Sequence, residues 1–157
     1  MVADNDLELA QVSVLGSLLI EPALTGEVLQ KLPETDFLSP RCRQVYQAIR
    51  ALFTAGATID PVTIREKLAG DAGIWNTYLL QVMDLTPTAA HVWEYVRVVR
   101  EQARLTRLQE LGERLAVAGD LEDAKTLVNQ ASGQLVEHSG VRFVTMEQAL
   151  MDFYQRH

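Results

Sequence analysis

Residues 39–70 read SPRCRQVYQAIRALFTAGATIDPVTIREKLAG, and this stretch carries the same helix-start signal twice. Ser39 before Pro40, and Asp60 before Pro61, each set a hydrogen-bonding side chain beside a proline. Proline's missing N–H costs nothing at the first helical position, where no intrahelical partner exists. Between the two starts Val45, Ile49, Leu52 and Phe53 recur at intervals of three and four, which gathers them on one helix face, and Gly56 supplies a stop. After the second start VTIREKLAG gives a short helix that Gly70 closes. A device repeated in this way reads as an all-α chain.

Upstream, LELAQVSVLGSLLIE at 7–21 follows a capping residue at or near Asp6. Leu7, Ala10, Val14 and Leu18 form its stripe, and Leu15 and Leu19 widen it, so the helix is expected to be mostly buried, with Gly16 permitting a close helix crossing. Pro22 opens a second helix carrying Ala23, Leu24, Val28 and Leu32, and Pro33 ends it. Downstream, a short helix from about Ile74 to Met83 runs into the proline turn LTPT.

The next segment differs in kind. Residues 88–118, TAAHVWEYVRVVREQARLTRLQELGERLAVA, hold no proline and one interior glycine. They can form a helix of about 30 residues, roughly 45 Å long. Gly119 and Asp120 then join a stop to an N-cap, which predicts a sharp reversal into an antiparallel arm where Leu121, Ala124, Val128, Ala131 and Leu135 make a heptad seam. The long arm is apolar on more than one face: Val92, Val96, Val99 and Ala103 lie beside Val98, Leu105, Leu108 and Leu115. A second apolar face on such a hairpin predicts self-association, with Val92, Val96, Val99, Leu121, Ala124, Val128, Ala131 and Leu135 as its candidate residues. Beyond a break at HSGVRF, RFVTMEQALMDFYQRH at 142–157 has Thr145 as a cap with Gln148 three residues on, and an apolar stripe of Met146, Ala149, Leu150 and Phe153. The expected organisation is a compact helical bundle head at 1–87, a protruding antiparallel helical hairpin at 88–138 and a C-terminal linker helix within 139–157.

Length and charge bound the function. A chain of 157 residues is enough for one core of about 100–150 residues plus an appendage. The net charge of −7 and the scarcity of lysine argue against a free-standing nucleic-acid binder, whose affinity rests on clustered cations, and point to protein partners. One cysteine, Cys42, excludes an internal disulfide and a thiolate metal site and fits an intracellular, cytoplasmic location. The N-terminus lacks the regions of a secretory signal, and no apolar run approaches the ~18 residues a membrane span needs.

Enzymatic signals are missing. There is no GxxxxGK[ST] loop and no strand to carry one, so this segment is not expected to hydrolyse ATP or unwind DNA, and no catalytic, cofactor or metal residue is assigned. His91, His138 and His157 are too far apart in sequence for a ligand pair. Cys42 between Arg41 and Arg43 admits a lowered thiol pKa, against the plainer reading of a structural cysteine. Arg97, Arg100, Arg104 and Arg107 form a stripe that reads better as a solvated face, laced by pairs such as Arg97 with Glu101, than as a DNA contact. Trp75 and Trp93 fit either interface anchors or core.

The ordered motifs carry a resemblance. QVSVLGSLLIEPALTGEVLQKLPETDFLSPRCRQVYQAIRALFTAGATIDPVTIREKL at 11–68, followed by YLLQVMDLTPTAAHVWEYVRVVRE at 78–101, resembles the N-terminal domain of DnaB-type replicative hexameric DNA helicases. The marks are Val14-Leu15-Gly16 with Leu18-Leu19, Asp36-Phe37 with Pro40, Val45-Tyr46-Ile49, and Gly56 with Ile59-Asp60-Val62-Thr63. Tyr78-Leu79 and Thr86-Pro87-Thr88-Ala89-Ala90, leading to Tyr95 and Val98-Val99, complete them. The resemblance implies an all-α head and hairpin, hairpins pairing between subunits, and six domains forming a collar as a trimer of dimers. It also implies that the collar receives primase and, in many members of the family, influences the helicase loader, while the acidic charge implies little direct DNA binding by this segment. The terminal stretch is similar to the family's linker, with Phe143, Met146, Leu150 and Phe153 on the side that docks on a motor domain, which would hold the ATP and Mg. Two other readings fit a head with a helical hairpin: the helicase-binding adaptor domain of a primase, and a free-standing phage or plasmid modulator of a host helicase.

Overall fold

The computed structural model describes residues 6–135. Helices α1 (Asp6–Ile20), α2 (Thr25–Lys31), α3 (Pro40–Thr54), α4 (Pro61–Lys67), α5 (Ala72–Asp84) and α6 (Val92–Ala116) follow in order. A seventh, α7, covers residues 121–135, and no strand occurs among the described residues. Short 3-10 turns at Pro22–Leu24 and Glu34–Asp36 flank α2. The starts of α3, α4 and α7 carry the caps that the sequence implies, whereas Pro22 lies in a 3-10 turn and α2 begins only at Thr25, without a side-chain cap. The Asp60 carboxylate accepts from Thr63 N at 2.9 Å while Thr63 Oγ1 accepts from Asp60 N at 3.0 Å, a reciprocal capping box. Ser39 Oγ accepts from Cys42 N, and Asp120 from Asp123 N at 2.8 Å. Asp71, which the sequence reading passed over, caps α5 by accepting from Ile74 N, so that helix starts two residues earlier than expected.

α3 ends in a Schellman motif. Gly56 takes φ +68°, Ala57 N donates to Leu52 O at 2.9 Å, and Gly56 N donates to Phe53 O at 3.0 Å. The left-handed backbone at Gly56 is what requires glycine there.

The described chain divides into two compact units, one ending at Ala103 and the other beginning at Arg104. In the first, α1 is wrapped on most sides: Val12, Val14, Leu15 and Leu18 are fully buried together with Val28, Leu32, Phe37, Val45, Tyr46, Ile49, Ile64 and Leu79. Tyr46 fills the centre, its ring 4.4 Å from that of Phe37, and its hydroxyl donates to Leu32 O at 2.7 Å, satisfying a carbonyl left over at the end of α2. Gly16 lets α1 cross α5 closely, facing Thr86 and the Val82 carbonyl.

This division corrects the sequence reading, which ended the head at residue 87. Val92, Val96 and Val99 are only 2%, 4% and 1% exposed and belong to the core cluster of the first unit. Their spacing of four and three aligns them on one face of α6, and the head takes that face, so these three are not available as a self-association surface. α6 also starts at Val92 rather than 88, after a turn.

In the second unit the remainder of α6, residues 104–116, and α7 form an antiparallel hairpin around buried Leu111 and Leu127. The last turn of α6 tightens through Val117 N to Arg114 O and Ala118 N to Leu115 O, and Gly119 turns the chain without entering the left-handed region.

Candidate functional site

The hairpin has two unlike flanks. On one, Arg107, Glu110 and Arg114 of α6 and Gln130, Gly133 and Gln134 of α7 line an open cavity of about 530 Å³ over Leu111. Helical periodicity puts Leu105, Leu108, Gly112 and Leu115 of α6, and Leu121, Val128 and Leu135 of α7, on the opposite flank. The α7 residues follow one another at intervals of one heptad and are 69%, 49% and 50% exposed, while Leu105 and Leu115 are exposed beside them and Leu108 is half-buried. No charged side chain stands at any of these positions.

The predicted seam therefore splits in two. Ala124 and Ala131 are half-buried at its inner edge, and Leu121, Val128 and Leu135 face outward. The arms join instead through Leu111 and Leu127, which sequence reasoning missed. Leu127 lies three residues after Ala124 and four before Ala131, so an inward face centred on it was available in the spacing.

Chemistry elsewhere is structural. In the head, Arg41 makes a bidentate pair with Glu8, Nε to Oε1 at 2.7 Å and a terminal nitrogen to Oε2 at 2.9 Å, and Ser39 Oγ donates to the same carboxylate at 3.0 Å. Burial pushes the Glu8 carboxyl up, but the hydrogen bonds from Arg41 and Ser39 and the guanidinium charge outweigh it and hold the group below the usual carboxylate range. Cys42 Sγ lies 3.1 Å from Tyr78 Oη and donates to Glu8 at 3.7 Å. Burial pushes its thiol up to about 11, the opposite of an activated cysteine. The cluster ties α1, the start of α3 and α5 together.

The other sequence candidates resolve simply. Arg97 bonds Glu94 and Glu101 on the surface of α6, as the solvated-face reading expects, but Arg104 is buried, so the arginines do not form one continuous solvated stripe. Trp75 donates from Nε1 to Ala69 O at 2.9 Å and meets Tyr78 edge-on, while Trp93 lies under the Lys31 ammonium at 4.6 Å. His91 is exposed, and among the described residues no group of acidic, histidine or cysteine side chains is placed to hold a metal. Among the described residues no single helix is long and apolar enough to cross a membrane. Phe143, Met146, Leu150 and Phe153 lie outside the described residues, as do His138 and His157.

Comparison with known proteins gives a consistent result. The family described as DnaB-like helicase N terminal domain matches residues 4–101. The replicative DNA helicase DnaB of Leifsonia xyli is 32% identical over 146 residues, which cover 87% of this chain and 31% of the relative. That of Mycobacterium leprae is 30% identical over 154 residues, covering 93% of this chain and 26% of the relative. The chain thus spans about a third or less of the length of these relatives. The crystal structure of the N-terminal domain of DnaB helicase from Mycobacterium tuberculosis superposes with a TM-score of 0.66 at 31% identity, covering 82% of this chain and 95% of that one.

Proposed function

The chain belongs to the family of DnaB-like helicase N-terminal domains, and on that premise we propose that it is the assembly and docking segment of a replicative DNA helicase, working in the cytoplasm. Copies associate through the apolar flank of the hairpin into dimers, and dimers into a hexameric collar. The collar receives primase and influences the loader, while ATP and Mg belong to the motor domain of the intact helicase and DNA is contacted little by this segment. The linker residues Phe143, Met146, Leu150 and Phe153 dock on that motor domain.

The observation that carries the reading is the outward heptad of Leu121, Val128 and Leu135, joined by Leu105 and Leu115. Apolar surface is held in water at a cost of about 25 cal/mol per Å², and a contiguous uncharged stripe on a hairpin is the kind of surface that marks an interaction site. Size-exclusion chromatography with light scattering tests it directly: dimers or larger species at high micromolar concentration are expected, and a strictly monomeric chain would refute the assembly role. Capture of purified primase by the associated chain tests the docking role. Capture of an intact helicase ring, with none of primase, would instead favour a primase adaptor.

A further inference from the structure

Two glycines sit inside the helices of the hairpin, Gly112 in α6 and Gly133 in α7. Glycine in the interior of a helix forfeits about 0.5–1 kcal/mol relative to alanine. Nothing within the described chain calls for either one. Neither takes a positive φ, and among the described residues a Cβ added at either would meet no atom within 4 Å.

They differ in what they face. Gly133 lines the polar cavity. Gly112 falls on the apolar flank in sequence with Leu105, Leu108 and Leu115, at steps of three, four and three, the pattern of a seam that meets another helix. Leu121, Val128 and Leu135 repeat that period on α7. Each arm already covers one face of the other, and a second hairpin laid on the same flank would close a four-helix bundle. A second copy is the occupant that fits, because the seam is uncharged in a chain of net charge −7: identical copies repel least where they can meet without opposing carboxylates. The distance between packed helices is set by the side chains at their contact, and Gly112 is the one position of the seam with none.

We propose that Gly112 is the point of closest approach between two copies of this chain and so decides how tightly the hairpins pack. The inference rests on the self-association reading and adds to it a residue that limits the fit.

Sedimentation equilibrium of the full 157-residue chain, with thermal unfolding at high dilution, compares the wild type with Gly112→Leu and Gly133→Leu. Leucine is a strong helix former and the space at both positions is open, so both variants keep the thermal midpoint of the dilute wild type or exceed it. Gly112→Leu weakens association by roughly tenfold or more, and Gly133→Leu leaves it unchanged. Gly112→Ala gives a milder version of the same split, a higher midpoint with weaker association. Gly112→Leu associating as tightly as the wild type, or more tightly because leucine merely extends the seam, would overturn the inference, as would equal weakening by both leucine variants. A wild type that stays monomeric at every concentration overturns the assembly reading itself, so the two failures are told apart by the wild-type curve alone.

Discussion

Replacing Gly16 by alanine adds one methyl group at the place where α1 crosses α5. The added Cβ would collide with Thr86 Oγ1, approach Thr86 Cβ to 2.5 Å and the Val82 carbonyl oxygen to 2.9 Å. Ordinary carbon contacts lie at about 3.5–4 Å, so the crossing must open by about 1 Å. Thr86 cannot swing aside cheaply: it is buried and β-branched, and its hydroxyl donates to Val82 O at 3.0 Å. The third obstacle is backbone. Alanine returns about 0.5–1 kcal/mol of helix propensity, whereas overpacking of a filled core costs about 1–3 kcal/mol, here at the upper end because two rigid groups are met at once. The expected net loss is about 2 kcal/mol, or roughly 4–8 °C in thermal midpoint for a chain of this size. Circular dichroism melts at fixed protein concentration measure it. A Gly16→Ala variant as stable as the wild type would show that α1 and α5 are not held at this distance and would refute the account of the crossing.

Three further outcomes follow from the geometry. Glu8→Gln breaks the bidentate pair with Arg41 and should cost about 1–2 kcal/mol near neutral pH, a figure kept low because Arg41 is partly solvated. Since the folded Glu8 pKa is depressed, its contribution is complete above the unfolded carboxylate value and disappears as pH falls through the folded one. The gap between wild type and variant in urea midpoint should therefore close under acid, and a gap independent of pH would show that the charge is not what stabilises. Asp60→Ala removes the capping box of α4 and should lower stability by about 1 kcal/mol without changing the denaturant slope. Val128→Glu puts a charge on a half-exposed outward position, so it should leave the dilute melt unchanged and shift light-scattering mass toward the monomer; an unaltered mass would place the association surface elsewhere.

Local signals in this chain were legible because each is satisfied within a few residues. Ser39 with Pro40, Asp60 with Pro61, and Gly56 after the apolar stripe of α3 announce themselves in sequence and appear as caps and a Schellman turn. What periodicity could not supply was the identity of the surface that a stripe faces. Val92, Val96 and Val99 have the same spacing as a free seam, yet the head covers them; Leu127 was passed over beside the alanines although it is the residue the hairpin buries. The Glu8, Arg41, Cys42 and Tyr78 cluster was unreadable for another reason. Glu8, the Arg41-Cys42 pair and Tyr78 are each more than thirty positions from the next along the chain, and only the meeting of α1, α3 and α5 brings them together.

The burial of Cys42 has a practical corollary. It is the single thiol of the chain, and a buried sulfhydryl whose pKa is pushed up to about 11 reacts slowly with maleimides, because the thiolate is the form that attacks them. A cysteine introduced at an open site such as Ser132 or Asn129 on α7 can therefore be tagged with a fluorophore or spin label while the native one stays silent. The proposed pairing of copies can then be probed by distance measurement without first rebuilding the interior.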